Sequence, residues 1–327
     1  MKKADINEKF VLEVNKKLHD EVARTYVGTP SFFKPTAIKK WNEVASDFLS
    51  HSHLNILDFG SGTGFVPEII IPHLQHSTLF CMDVSRNSLR YSQKLLKNEY
   101  NSIMKIKKIK IKFIANSPSA SLKIPLPSHS MDVVLTNFVL HHLYNPETFL
   151  DEARRVLKNN GLLIIGFEPN ELFSKSKTLH FFNTLSQYLI FPVKPAILIK
   201  SICGMPFFYR LKSFIRKKFL NKKYFKINEL EDSLNKYFLN KNLIKAPLTF
   251  DDFMNISNYQ SAIDSSILTR SKHFTPVMFE TYVYLPFLSA EIPDGKFKNT
   301  INHVEVFLKK KFTNYGCFFF FILKKRC

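Results

Sequence analysis

Short, nearly continuous apolar runs alternate along residues 54–170 with segments whose apolar residues recur every third or fourth position. The runs at 54–57, 78–83, 109–115, 131–137 and 161–167 have the length of strands buried on both faces. The periodic segments at 65–74, 87–96 and 146–158 have the spacing of helices packed by one side. Strands alternating with helices predict an α/β domain with a parallel, doubly wound sheet. Two helices precede it. In the first, residues 5–27, Phe10, Val11, Val14, Leu18, Val22 and Tyr26 repeat at three and four; the second spans 37–49. Beyond residue 170 the pattern turns helical, and it returns to strand-like runs at 279–285 and 317–323, with a helix at 298–312 between them.

Where the first strand ends, the chain reads Ile56-Leu-Asp-Phe-Gly-Ser-Gly-Thr-Gly64. Three glycines at alternate positions belong to neither a strand nor a helix interior, so the backbone there must turn sharply or admit a ligand closely. Thr63 is the expected cap of the following helix, with Pro67 and Glu68 in its first turn. The spacing differs from the dinucleotide fingerprint G-x-G-x-x-G, and Asp58 stands two residues before the first glycine. A carboxylate at that point would repel a pyrophosphate but could hold a cationic ammonium group. An ordinary glycine-rich turn is the bland alternative.

Asp58-Phe-Gly60-Ser-Gly62-Thr-Gly64 resembles the first motif of the class I S-adenosylmethionine (SAM) methyltransferases. That resemblance extends through the strands down to residue 170. It implies a Rossmann-like seven-stranded methyltransferase sheet, parallel except for an antiparallel closing strand, with an inserted helical lid. It also implies SAM as cofactor and methyl transfer to a small-molecule or lipid-like acceptor, of the type found in quinone biosynthesis. On this reading Asp58 holds the methionine end and Gly60, Gly62 and Gly64 make room for the ligand. Asp83, 19 residues past Gly64, takes the ribose, although a strand-end Asp also caps helices. Asn116 stands where the family usually has an acid for the adenine amino group, a departure that an amide oxygen can still serve. Asn137 and Phe138 fall beside the sulfonium by family position alone. The helix end His19-Asp20-Glu-Val-Ala-Arg-Thr-Tyr26 resembles a lid segment whose tyrosine covers the pocket; simple packing on the core is the other reading. His141 and His142 after the fourth strand are candidate catalytic groups, though the family mostly uses such a pair structurally, and with no Cys or acid at ligand spacing no metal is expected.

The expected division is an N-terminal lid at 1–50, the SAM-binding core at 51–170, a helical substrate lid at 171–275 and closing elements at 276–327. Of 327 residues 45% are hydrophobic, enough for a core, and the formal charge is +20. The excess is uneven: residues 171–327 hold 25 Lys/Arg against 11 Asp/Glu. Within that half, residues 208–226 read as a basic amphipathic helix, suited to an anionic membrane surface or an acidic carrier protein, or simply to water. A nucleic-acid methyltransferase is the rival that the charge favours, but the fourth strand lacks the Asn/Asp-Pro-Pro-aromatic signature for exocyclic base amines. A membrane- or carrier-binding protein that keeps the fold without turnover is the other rival. Four cysteines outside any CxxC pair suit free thiols in a reducing cytosol. No apolar signal segment or spanning stretch stands out, so a cytoplasmic protein, peripheral to a membrane at most, is expected.

Overall fold

The computed structural model describes residues 6–26, 34–116, 122–179, 181, 227–282 and 296–326. Two helices, α1 (Glu8–Tyr26) and α2 (Lys34–Phe48), lead into the alternating region: β1 (Asn55–Phe59), α3 (Phe65–Ile70), β2 (Thr78–Asp83), α4 (Arg86–Ile106), β3 (Lys110–Ala115), β4 (Met131–Asn137), α5 (Pro146–Val156) and β5 (Leu157–Pro169). The last strands are β6 (Phe274–Tyr282) and β7 (Phe318–Lys325).

These form one seven-stranded sheet in the order β3-β2-β1-β4-β5-β7-β6. β1 pairs in parallel with both β2 and β4, β5 runs parallel to β4, and β7 is antiparallel to β5. The chain builds outward from β1 through β2 to β3, then crosses back to β4. The strand order therefore reverses between β1 and β4, and in open α/β sheets the ligand crevice lies outside the carboxyl ends at such a switch point. Burial explains the composition of the centre. Ile56 and Leu57 of β1 and Val134 and Leu135 of β4 are fully covered on both faces, so polar alternation would leave polar groups stranded there. At the edge, β3 alternates instead, with Lys110 and Lys112 exposed and Ile111 and Phe113 half-buried.

Several boundaries differ from expectation for identifiable reasons. Thr63 does not cap α3; Gly64 occupies that position, at φ 98° and without a side-chain bond. α4 runs ten residues past the expected end, because its stretch after Leu96 presents mostly polar faces that hide the period. Asn160 sits at φ 62° inside β5, where the register against β4 shifts between Met131 and Val133, so Asn160-Gly161 forms a bulge. β6 begins five residues early, and its Pro276 is tolerated because the strand lies at the sheet edge.

By contacts the chain divides into two compact units. One comprises residues 1–170, 256–280 and 318–327; the other, 171–255 and 281–317, includes the described helices Ile227–Asn240 and Lys296–Lys311. The basic segment 208–226 lies outside the described residues, as does most of 180–226. No helix among the described residues is long and apolar enough to cross a membrane.

Candidate functional site

All three glycines of the loop have positive φ: 75° at Gly60, 54° at Gly62 and 98° at Gly64. Their surroundings differ. A Cβ on Gly60 would lie 2.3 Å from Val139 Cγ2, and one on Gly64 would lie 2.6 Å from Ser92 Oγ. Gly60 thus lets the loop seat against the chain after β4, and Gly64 lets α3 approach α4. A Cβ on Gly62 would meet nothing nearer than the Gly60 carbonyl at 3.9 Å, so this glycine borders open space. The loop is pinned from below: the amides of Gly60 and Ser61 both donate to the Met82 carbonyl, at 2.8 and 2.9 Å.

Two acids frame it. Asp83 at the end of β2 accepts from Gly62 N through Oδ2 and from Ser85 N through Oδ1, both at 2.8 Å. The capping of α4 falls instead to Ser85, whose hydroxyl accepts from Ser88 N. Asp58 is 1% exposed, and its Oδ2 has no hydrogen-bond partner among the described residues; neither has the buried Ser61 hydroxyl. Burial pushes the Asp58 carboxyl up to about 7, the nearby Ser61 hydroxyl moderates the rise, and the charge of Asp83 adds to it. Burial also raises Asp83, against the charge of His19 and the two backbone donors. A buried acid with an orphaned oxygen, next to a second acid and a bare loop, leaves an acceptor that a hydrogen-bond donor can satisfy.

On the other side of the crevice stands a knot centred on Glu168, fully buried at the end of β5. Its Oε1 accepts from the amides of Val139 and Leu140 at 2.7 and 2.9 Å, and its Oε2 lies 2.8 Å from His141 Nδ1. The carboxylate thereby fixes both the turn after β4 and the orientation of the His141 ring. His142 diverges: its Nδ1 donates to the Ser257 carbonyl at 2.8 Å, and burial holds it well below the usual histidine range. α1 closes over this end of the sheet. Asn15 donates to the His142 carbonyl, the His19 ring meets His142 edge-on at 5.4 Å, and Asp20 accepts from the Ser85 hydroxyl and Asn87 N at the start of α4. Burial lowers His19, although Asp83 opposes the shift.

Asp58, the glycines, Asp83, His141 and His142 therefore converge, together with Phe138, which adopts a strained φ of 58° and whose ring meets that of His141 edge-on. Asn116 sits at the end of β3 with its amide on the Asp83 carbonyl; its side chain makes only a long, 3.5 Å contact to Lys123 O. Asn137 is engaged elsewhere, its Oδ1 accepting from the Trp41 indole at 2.9 Å. Tyr26 ends α1, but its side chain lies outside the described residues. Sequence reasoning missed Glu168 and His19. Glu168-Pro-Asn reads as an ordinary strand end, and only the crossing of β4 and β5 shows whose amides it binds. Among the described residues no cluster of His, Cys, Asp or Glu suits a metal ion.

Residues 57–165 match the methyltransferase domain family. Among curated proteins, a malonyl-[acyl-carrier protein] O-methyltransferase of Laribacter hongkongensis (strain HLHK9) is 26% identical over 118 residues, covering 36% of this chain and 38% of that protein. The chain thus spans well under half of the relative it matches. Solved structures with a local likeness include a SAM-dependent methyltransferase from Aquifex aeolicus, at 24% identity over 41% of this chain and 73% of that one with a TM-score of 0.32. Another is phosphoethanolamine N-methyltransferase 1 of Haemonchus contortus, at 15% identity over 50% and 34% with a TM-score of 0.39. The stretch that matches the methyltransferase domain family, a third of the chain, carries the glycine loop and its framing acids Asp58 on β1 and Asp83 on β2.

Proposed function

We propose that this chain transfers a methyl group from S-adenosylmethionine to a small-molecule or lipid-like acceptor by in-line displacement. The observation that carries the reading is the orphaned, buried Asp58 carboxylate behind a glycine loop whose centre, Gly62, faces open space. When bound, SAM supplies a methyl group on a sulfonium, whose leaving group departs neutral. Asp58 accepts from the cationic amino end, and the pairing favours its ionised form. Asp83 offers its carboxylate to ribose hydroxyls while the Gly62 and Ser85 amides hold it in place, and Asn116 borders the adenine. Phe138 shields the reacting end from water. Asn137 acts there only indirectly, by holding Trp41.

A neutral leaving group needs no acid, so protonation chemistry is confined to the acceptor. For an acceptor that keeps its proton, His141 is the base: Glu168 accepts at Nδ1 and leaves Nε2 to take the proton. His142 and His19 stay neutral and pack around it. The excess of Lys/Arg over residues 171–327 suits an acceptor borne on an acidic carrier or presented at an anionic membrane, and the carrier-bound substrate in the relative's name favours the carrier.

Mass spectrometry of metabolites from cells with and without the protein tests the reaction. The expected result is a product 14 Da heavier than an accumulating precursor, absent when Asp58→Ala replaces the wild type. No such pair in any extract, or the same pair with Asp58→Ala, would sink the proposal.

A further inference from the structure

The opposite end of the sheet holds a second polar site. A cavity of about 490 Å³ opens where β4, β5 and β6 begin and β7 ends, at the amino ends of the parallel strands and therefore remote from the glycine loop. Arg154, Arg155, Lys272, Lys325 and Arg326 line it, with Asp151 as the one carboxylate in the wall. Arg155 is neutralised by Glu152, which accepts from its Nε and Nη2 at 2.7 Å. The other four cations have no ion pair among the described residues. Lys325 is the telling one: it is only 6% exposed, and its Nζ donates to the Leu157 carbonyl at 2.6 Å and reaches His129 Nδ1 at 3.3 Å. An ammonium can only donate, so His129 accepts, and by the same logic His273 Nε2 accepts from Arg154 at 3.3 Å.

A strand end that needed only solubility would hold its lysine in water. Here a buried ammonium faces three further unpaired cations across a shared cavity, and burial followed by the charge of Arg154 lowers its proton affinity. The carboxyl end of α5, at Arg154 and Arg155, offsets part of this charge through its dipole. The remainder calls for an anion. The cavity has the volume of a small-ligand pocket, and guanidinium forks with an ammonium are the donor set for phosphate oxygens.

We propose that this cavity binds a compact phosphate-bearing anion, with Lys325 at its base and Arg154, Arg326 and Lys272 as the clamp. The site is separate from the methyl-transfer crevice, and its occupancy does not depend on the function proposed there.

The test is calorimetric titration of the full chain at low salt with inorganic phosphate, pyrophosphate and a nucleoside diphosphate, repeated with Arg154→Gln/Arg326→Gln and with Lys325→Met. Saturable micromolar binding of pyrophosphate or the diphosphate is expected, weakened at least tenfold in the double variant, with a cooperative thermal unfolding transition as proof of folding. Tighter binding of the diphosphate than of pyrophosphate would assign a phosphorylated metabolite, and the reverse order a free phosphate species. Lys325→Met answers the same question from the buried side should the double variant fail to fold. Binding only at tens of millimolar, equal affinity in variants that fold, or equal competition by chloride would overturn the proposal.

Discussion

The three loop glycines make a residue-level contrast that the sequence alone does not. Gly60→Ala drives a Cβ into Val139 at a backbone angle no L-residue favours, so it should lower the melting temperature by many degrees. Gly62→Ala carries only the backbone cost, on the order of 1 kcal/mol, and should fold. Its methyl group projects into the open side of the loop, so the variant should nonetheless lose S-adenosylhomocysteine affinity in a calorimeter. Equal stability of the two variants would contradict this account. Asp58 gives a second contrast. Its folded carboxyl, raised to about 7 from an ordinary 3.8, holds a proton that the unfolded chain has released. That contribution is fully present below about pH 4 and is lost as pH rises through about 7, with a ceiling of about 4 kcal/mol. Asp58→Asn should therefore melt higher than wild type at pH 8 without ligand, and the gain should vanish by pH 4 in thermal scans.

Among the elements, the Glu168 knot and the start of α4 decide whether the crevice keeps its shape. Glu168→Gln leaves one oxygen for the amides of Val139 and Leu140 and the His141 ring, and should cost about 2–3 kcal/mol in urea unfolding. Ser85→Ala removes only the α4 cap and the bond to Asp20, so about 1 kcal/mol is expected. The central strands are legible because they are buried on both faces: the runs 78–83 and 131–137 coincide with β2 and β4, and 54–57 falls one residue before the start of β1 and two short of its end. The glycine loop and the acids at positions 58 and 83 were legible because their chemistry is local. Glu168, by contrast, serves amides 27–29 residues away across a sheet crossing, and Asn137 faces a tryptophan nearly a hundred residues upstream. No local pattern records either partner. The bulge at Asn160 is equally invisible locally, since Asn-Gly serves a helix end and a strand irregularity equally well.

For the molecule as a whole, the sheet divides the chemistry between its two ends. The carboxyl ends gather the acids Asp58 and Asp83, and the amino ends gather arginines and lysines around a cavity. Net charge alone, +20 over the chain, pointed to acidic partners and showed neither location. Ligand binding at the acidic end should stabilise the whole first unit by mass action, about 2.7 kcal/mol at a concentration a hundredfold above Kd. The rise in melting temperature with S-adenosylhomocysteine should be larger at pH 8 than at pH 6, because only ionised Asp58 attracts the ammonium. The same dependence provides the most direct measurement, a calorimetric titration of S-adenosylhomocysteine into wild type and Asp58→Asn at pH 6 and pH 8. The wild type should bind at both, about tenfold more weakly at pH 6, as follows from a group titrating near 7. The variant should bind about a hundredfold more weakly at pH 8 and lose the pH dependence. No binding to the wild type, or wild-type affinity in the variant, would contradict the assignment of this loop.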